Sequence, residues 1–148
     1  MAFRFSLDAV LHFRQSLEHQ QELRLRAANQ QVARVRHRIE QIEQRIREAE
    51  MRRSQQIGSG TTAAELHFSL LSESALREQI PVLQRELARL RTLRDQQQRI
   101  YQQARREREI LESLRDRNLH EYERDVARHE QRELDELFLL RRSYLQRG

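Results

Sequence analysis

The 148 residues are 34% charged and only 37% hydrophobic, with 3 Gly, 1 Pro and no Cys. So few helix breakers and so thin an apolar fraction exclude a compact fold around a thick core and predict long helices joined along narrow seams. The net charge is +5 with every basic residue an Arg, and the absence of Cys excludes a disulfide framework, a thiolate metal site and a cysteine nucleophile.

The N-terminus, MAFRFSLDAVLHFRQ, has no long apolar run and no cleavage-site pattern, which argues against a signal peptide. The longest apolar run, Leu137 to Leu140, is far short of the ~20 positions that a membrane-spanning helix needs. A soluble, cytoplasmic chain is expected. Phe3, Phe5, Leu7, Val10 and Leu11 form an apolar cluster at its start. Ser6 is the expected N-cap of a first helix, with Asp8 in its first turn where a carboxylate favours the positive end of the helix dipole.

The first arm is predicted over about 6–57. Leu25, Ala28, Val32, Val35, Ile39, Ile42, Ile46 and Ala49 step by 3, 4, 3, 4, 3, 4, 3, which is a heptad seam. Extended backwards, the register meets Gln21, Glu18 and Arg14 and then Leu11, so its apolar character weakens toward the N-terminus. The segment from Arg24 to Arg53 holds nine Arg against four Glu. Such an excess suits an acidic protein surface or a nucleic acid. The interspersed Glu40, Glu43, Glu48 and Glu50, and the lack of aromatic residues for base stacking, argue against nucleic acid.

Gly58-Ser59-Gly60 is the predicted stop, with the turn over 58–61. Thr62-Ala63-Ala64-Glu65 has capping-box form, with the Thr oxygen and the Glu carboxylate satisfying free amides reciprocally. One turn between two helical patterns predicts an antiparallel hairpin. The second arm, about 62–147, carries Leu76, Ile80, Leu83, Leu87 and Leu90 at spacings of 4, 3, 4, 3. Pro81 lies within that seam and predicts a kink or break near 74–81. Arm lengths of ~78 Å and ~129 Å, at 1.5 Å per residue, place Ser6 opposite Glu112 and leave about 35 residues of the second arm without a partner. That overhang still carries Leu119, Tyr122, Val126, Leu134, Leu137 and Leu140 along one stripe. An apolar stripe alone in water marks a binding surface.

Catalytic chemistry has no footing in this pattern. The six His residues form no His-Glu-x-x-His motif, and none has a Glu three positions before it. Gly58, Gly60 and Gly148 build no phosphate loop. The carboxylates alternate with Arg, as on a solvated coiled-coil surface. No enzyme activity, no cofactor and no metal are expected.

The residues at both ends carry a family resemblance. Phe3-Arg4-Phe5-Ser6-Leu7-Asp8-Ala9-Val10-Leu11 followed by Arg14 is similar to the Phe-x-Phe-x-Leu-x-x-Val-Leu-x-x-Arg opening of the FliJ family, a soluble component of the bacterial flagellar type III export apparatus. Glu130-Gln131-Arg132-Glu133-Leu134-Asp135-Glu136 resembles that family's Glu-Gln-(Lys/Arg)-x-Leu-Asp-Glu run. The resemblance implies an all-α fold: a long antiparallel two-helix coiled-coil hairpin with an overhanging C-terminal helix, like the stalk of a rotary ATPase. It implies insertion of the end bearing both termini into the hexameric flagellar export ATPase. Phe3, Phe5, Leu7, Val10, Leu11, Arg14, Glu130, Gln131, Leu134, Asp135, Glu136 and Leu137 are the expected ATPase contacts. Further implied partners are the cytoplasmic domain of the export gate and the substrate-specific export chaperones, with peripheral association at the cytoplasmic face of the inner membrane.

In the family the gate-binding surface lies toward the middle of the hairpin and uses aromatic and aliphatic residues. The corresponding stretches, about 38–49 and 72–83, hold no aromatic residue, which leaves Ile42, Leu76 and Leu83 as candidates. A virulence-type secretion stalk shares the fold and length and is one alternative. An Arg-rich coiled coil that binds nucleic acid is the alternative from a different class.

Overall fold

The structure, a computed structural model, describes residues 2–148. Two helices account for nearly all of them, α1 over Asp8–Ser59 and α2 over Ala63–Arg147, and no strand occurs among the described residues. The fold is an all-α hairpin whose two long helices pack on each other. They form two compact units, one made of His19–Gln102 and one of the N-terminal stretch through Glu18 with Gln103–Gly148.

The helix ends differ from the sequence expectation in instructive ways. No Ser6 cap opens α1. The Asp8 amide donates to the Phe5 carbonyl at 3.1 Å, closing a turn over Ser6 and Leu7, and Leu7 accepts the first helical bond from Leu11 at 2.9 Å. Backbone has taken the place of a capping hydroxyl. Gly58 remains helical at a cost of about 1 kcal/mol against Ala. Gly60 ends the helix instead, with a φ of 92° that a side chain would strain. Only half of the capping box forms. Thr62 Oγ1 accepts the Glu65 amide at 3.2 Å, while the Glu65 carboxylate accepts the Thr61 hydroxyl at 2.7 Å.

α2 runs through Pro81 without interruption. Of the kink or break expected near 74–81, a break does not occur, and the seam of Ile80, Leu83 and Leu87 continues across the proline. Pro81 itself is exposed, and so is Arg77, whose carbonyl loses its amide donor.

In the unit of His19–Gln102 the core is a single seam. Val32, Ile39, Leu87 and Leu90 are buried together, with Val35 and Leu83 packed against them. Ile46 is buried beside this seam, and Ile42 is 0% exposed. The arms are antiparallel here, as Gln21 meets Gln97 and Arg53 meets Glu73. Glu73 is only 4% exposed. Burial pushes its carboxyl up, but hydrogen bonds from Arg53 and Arg77 outweigh burial and hold it below the ordinary value. Arg77 also pairs with Glu50 across the arms.

The other unit replaces apolar seam contacts with ion pairs. The backward-extended register is right: Leu11 is buried and Arg14 and Glu18 are half-buried here, and Gln21, in the His19–Gln102 unit, is buried as well. Arg108 Nε donates to Glu18 at 2.6 Å, and its Nη1 donates to Glu112 at 2.6 Å. Arg14 reaches Glu107 at 2.5 Å. Phe5, Leu11 and Ala104 supply the buried apolar contacts of this unit.

Candidate functional site

The candidate site is the C-terminal end of α2, and its start is set by an aromatic contact. The Phe3 and Tyr122 rings lie 5.6 Å apart at a 46° tilt, a packed aromatic pair. From Glu123 onward every residue is exposed. The overhang therefore begins about ten positions later than the arm lengths predict. The register explains the difference. Glu18 pairs with Arg108 and Phe3 with Tyr122, so the first arm keeps step with α2 as far as Phe3, and these residues face points further along α2 than a turn centred on 58–60 implies.

The expected ATPase contacts fall into two groups. Phe5 and Leu11 are buried between the arms, Phe3 is half-buried on Tyr122, and Arg14 is held by Glu107. These four tie the first arm to the second. Leu7, just before α1, and Val10, on α1, are exposed. Glu130, Gln131, Leu134, Asp135, Glu136 and Leu137 are all exposed, with Leu134 at 61% and Leu137 at 63%. Phe138, Leu139, Leu140, Tyr144 and Leu145 are exposed as well. This apolar surface is wider than the predicted stripe. Its helix is supported by local pairs one turn apart, His129 to Glu133 at 3.2 Å and Gln131 to Asp135 at 3.1 Å. Those bonds hold the helix and leave its apolar face uncovered.

The electrostatics at the root of the overhang are fixed by Arg108. Hydrogen bonding to Arg108 holds the Glu18 carboxyl below its ordinary value, against the opposing effect of burial. Glu18 and Glu112 in turn raise the Arg108 guanidinium. The Glu18–Arg108 pair is thereby kept ionised and ties the first arm to α2.

The residues considered for gate contact are placed unequally. Ile42 has no exposed surface, so its side chain is committed to the seam. Leu83 and Leu76 are half-buried. Leu76 lines an open groove of about 1030 Å³ with Ala49, Phe68, Ser72 and Ala75. Phe68 is 72% exposed there. Sequence reasoning passed over Phe68 because it precedes the 72–83 stretch by a single turn. Its helical spacing to Ser72 and Ala75 is the signal that finds it.

Among the described residues, no group of three His, Asp or Glu is placed to hold a metal ion, and no helix is long and apolar enough to cross a membrane. Fold and site together define a helical hairpin whose second helix ends in an exposed amphipathic face. The chain belongs to the family described as Flagellar FliJ protein, whose model matches residues 3–148. It is thereby a component of the flagellar type III export machinery, from a family that is not catalytic. No curated protein and no solved structure matches the chain.

Proposed function

We propose that this chain is the stalk of the flagellar export ATPase. The exposed end of α2 enters the central channel of the hexamer and promotes its assembly and activity. The observation that carries this reading is the contrast within one helix. α2 is seated on the first arm as far as Tyr122, where it meets Phe3, and from Glu123 it presents Leu134, Leu137 and Leu140 to solvent. An apolar face on a helix that is charged elsewhere is a protein-docking surface.

In this reading Leu134, Leu137, Glu130, Gln131, Asp135 and Glu136 contact the ATPase directly, with Leu7 and Val10 beside them. Phe3, Phe5, Leu11 and Arg14 act by bracing the base of the free helix. Contact with the cytoplasmic domain of the export gate uses the groove of Phe68 and Leu76, with Leu83 nearby. The exposed aromatic ring supports that assignment over one built on buried Ile42. Escort of substrate-specific export chaperones, a cytoplasmic location and peripheral association with the inner membrane complete the proposed role.

The test is ATP hydrolysis and hexamer formation by the cognate export ATPase, titrated with the full chain and with a chain truncated after Tyr122. Stimulation by the full chain that disappears on truncation supports the stalk role. Equal stimulation by both moves the site to the arms, and stimulation by neither removes the ATPase role.

A further inference from the structure

The exposed end of α2 has a charge order that its apolar stripe does not explain. From Glu123 to Glu136 there are six carboxylates against three arginines, and from Leu137 to Gly148 there are three arginines and no acidic side chain. All of these residues are exposed. The segment is thus acidic in its first half and basic in its second, and it is complementary to itself only when reversed.

A heptad seam runs through the same segment. Ala127, Glu130, Leu134, Leu137, Arg141 and Tyr144 step by 3, 4, 3, 4, 3, which aligns them on one face. Two of the six are charged with opposite sign, at equal distance on either side of the two leucines. In an antiparallel pair with its two-fold axis between Leu134 and Leu137, each Leu134 meets Leu137 of the second copy. Each Glu130 then meets Arg141 of the second copy, twice over by symmetry. A parallel pair opposes Glu130 to Glu130 and Arg141 to Arg141. The charges forbid that arrangement as firmly as they favour the other.

We propose that, in the free protein, the exposed ends of α2 from two copies pair as an antiparallel coiled coil centred between Leu134 and Leu137. The occupant is a second copy of this chain, because the seam supplies both members of each ion pair in the required order. That this pairing masks the ATPase-binding surface rests on the function proposed above. The pairing itself does not, and the experiment reads it without any ATPase.

The experiment is sedimentation equilibrium on the full chain over a wide concentration range, with circular dichroism to verify that each variant stays helical. The expected mass rises from 18.0 kDa toward twice that value as concentration increases. Leu137→Asp is expected to be monomeric throughout. Glu130→Arg alone and Arg141→Glu alone are each expected to weaken the dimer about tenfold, since two symmetry-related pairs are lost at once. The double variant Glu130→Arg/Arg141→Glu is expected to regain wild-type association. A wild-type chain that is monomeric at every concentration overturns the proposal. So does a dimer indifferent to Leu137→Asp, and a double variant no tighter than its parents overturns the antiparallel register.

Discussion

Gln97 Nε2 donates to Gln21 Oε1 at 2.7 Å and reaches the Gln21 backbone oxygen at 3.3 Å, joining the two arms at a seam position where Gln21 is only 9% exposed. A buried amide tolerates only the register that gives it a partner. Gln97→Ala leaves the Gln21 amide without its donor and is expected to cost ~1–3 kcal/mol in urea unfolding. The double change Gln21→Leu/Gln97→Leu is expected to recover most of that loss. A single substitution without effect would remove this pair from the stability of the hairpin.

The tightest apolar point is Ile42, which has no exposed surface. A two-helix seam is thin, so the arms close only partly over a missing side chain. Ile42→Ala is expected to destabilise by ~2–5 kcal/mol, measured as a lower denaturant midpoint with its slope unchanged.

Glu18 is held below the ordinary 4.5 by its hydrogen bond to Arg108. The sign of the linkage follows from a folded value that is lower than the unfolded one. The stabilisation is complete above the unfolded value and is lost as pH falls through the folded value. Thermal unfolding of the wild type should therefore show no change from this group between pH 7 and 5, and a decline below about pH 4. Glu18→Gln is expected to be less stable at neutral pH and to show a shallower acid decline.

Pro81 occupies an interior position of α2, where it removes one helical hydrogen bond. Its side chain is exposed, so replacement creates no cavity. Pro81→Ala is expected to raise stability, up to the ~3 kcal/mol by which proline disfavours a helix interior. An unchanged melting temperature would mean that the seam already absorbs the whole penalty.

The end of α2 is expected to be separable from the fold. Every residue from Glu123 on is exposed, so truncation after Tyr122 should leave the thermal midpoint of the hairpin unchanged while abolishing ATPase stimulation. Leu137→Asp should do the same at full length. Loss of the fold on truncation would show that the end braces the arms.

The sequence determined the helices, the hairpin and the seam on its own. Their signals are local: the 3, 4 spacing from Leu25 to Ala49, the glycines at 58 and 60, and a cap at Thr62. The polar continuation through Gln21, Glu18 and Arg14 was also legible, because a heptad register persists whatever residue occupies it. The length of the free end was not legible. It depends on which residues face each other across the arms, and the contacts of Glu18 with Arg108 and of Phe3 with Tyr122 set that. Partnership of the charges was likewise decided in three dimensions. Glu73 reads in sequence as one more solvated carboxylate, yet it is buried between Arg53 and Arg77 because the turn at Gly60 returns α2 onto that face of α1. Periodicity reports which face a residue is on. Which residue waits on the facing arm is a long-range pairing, and only the closed hairpin specifies it.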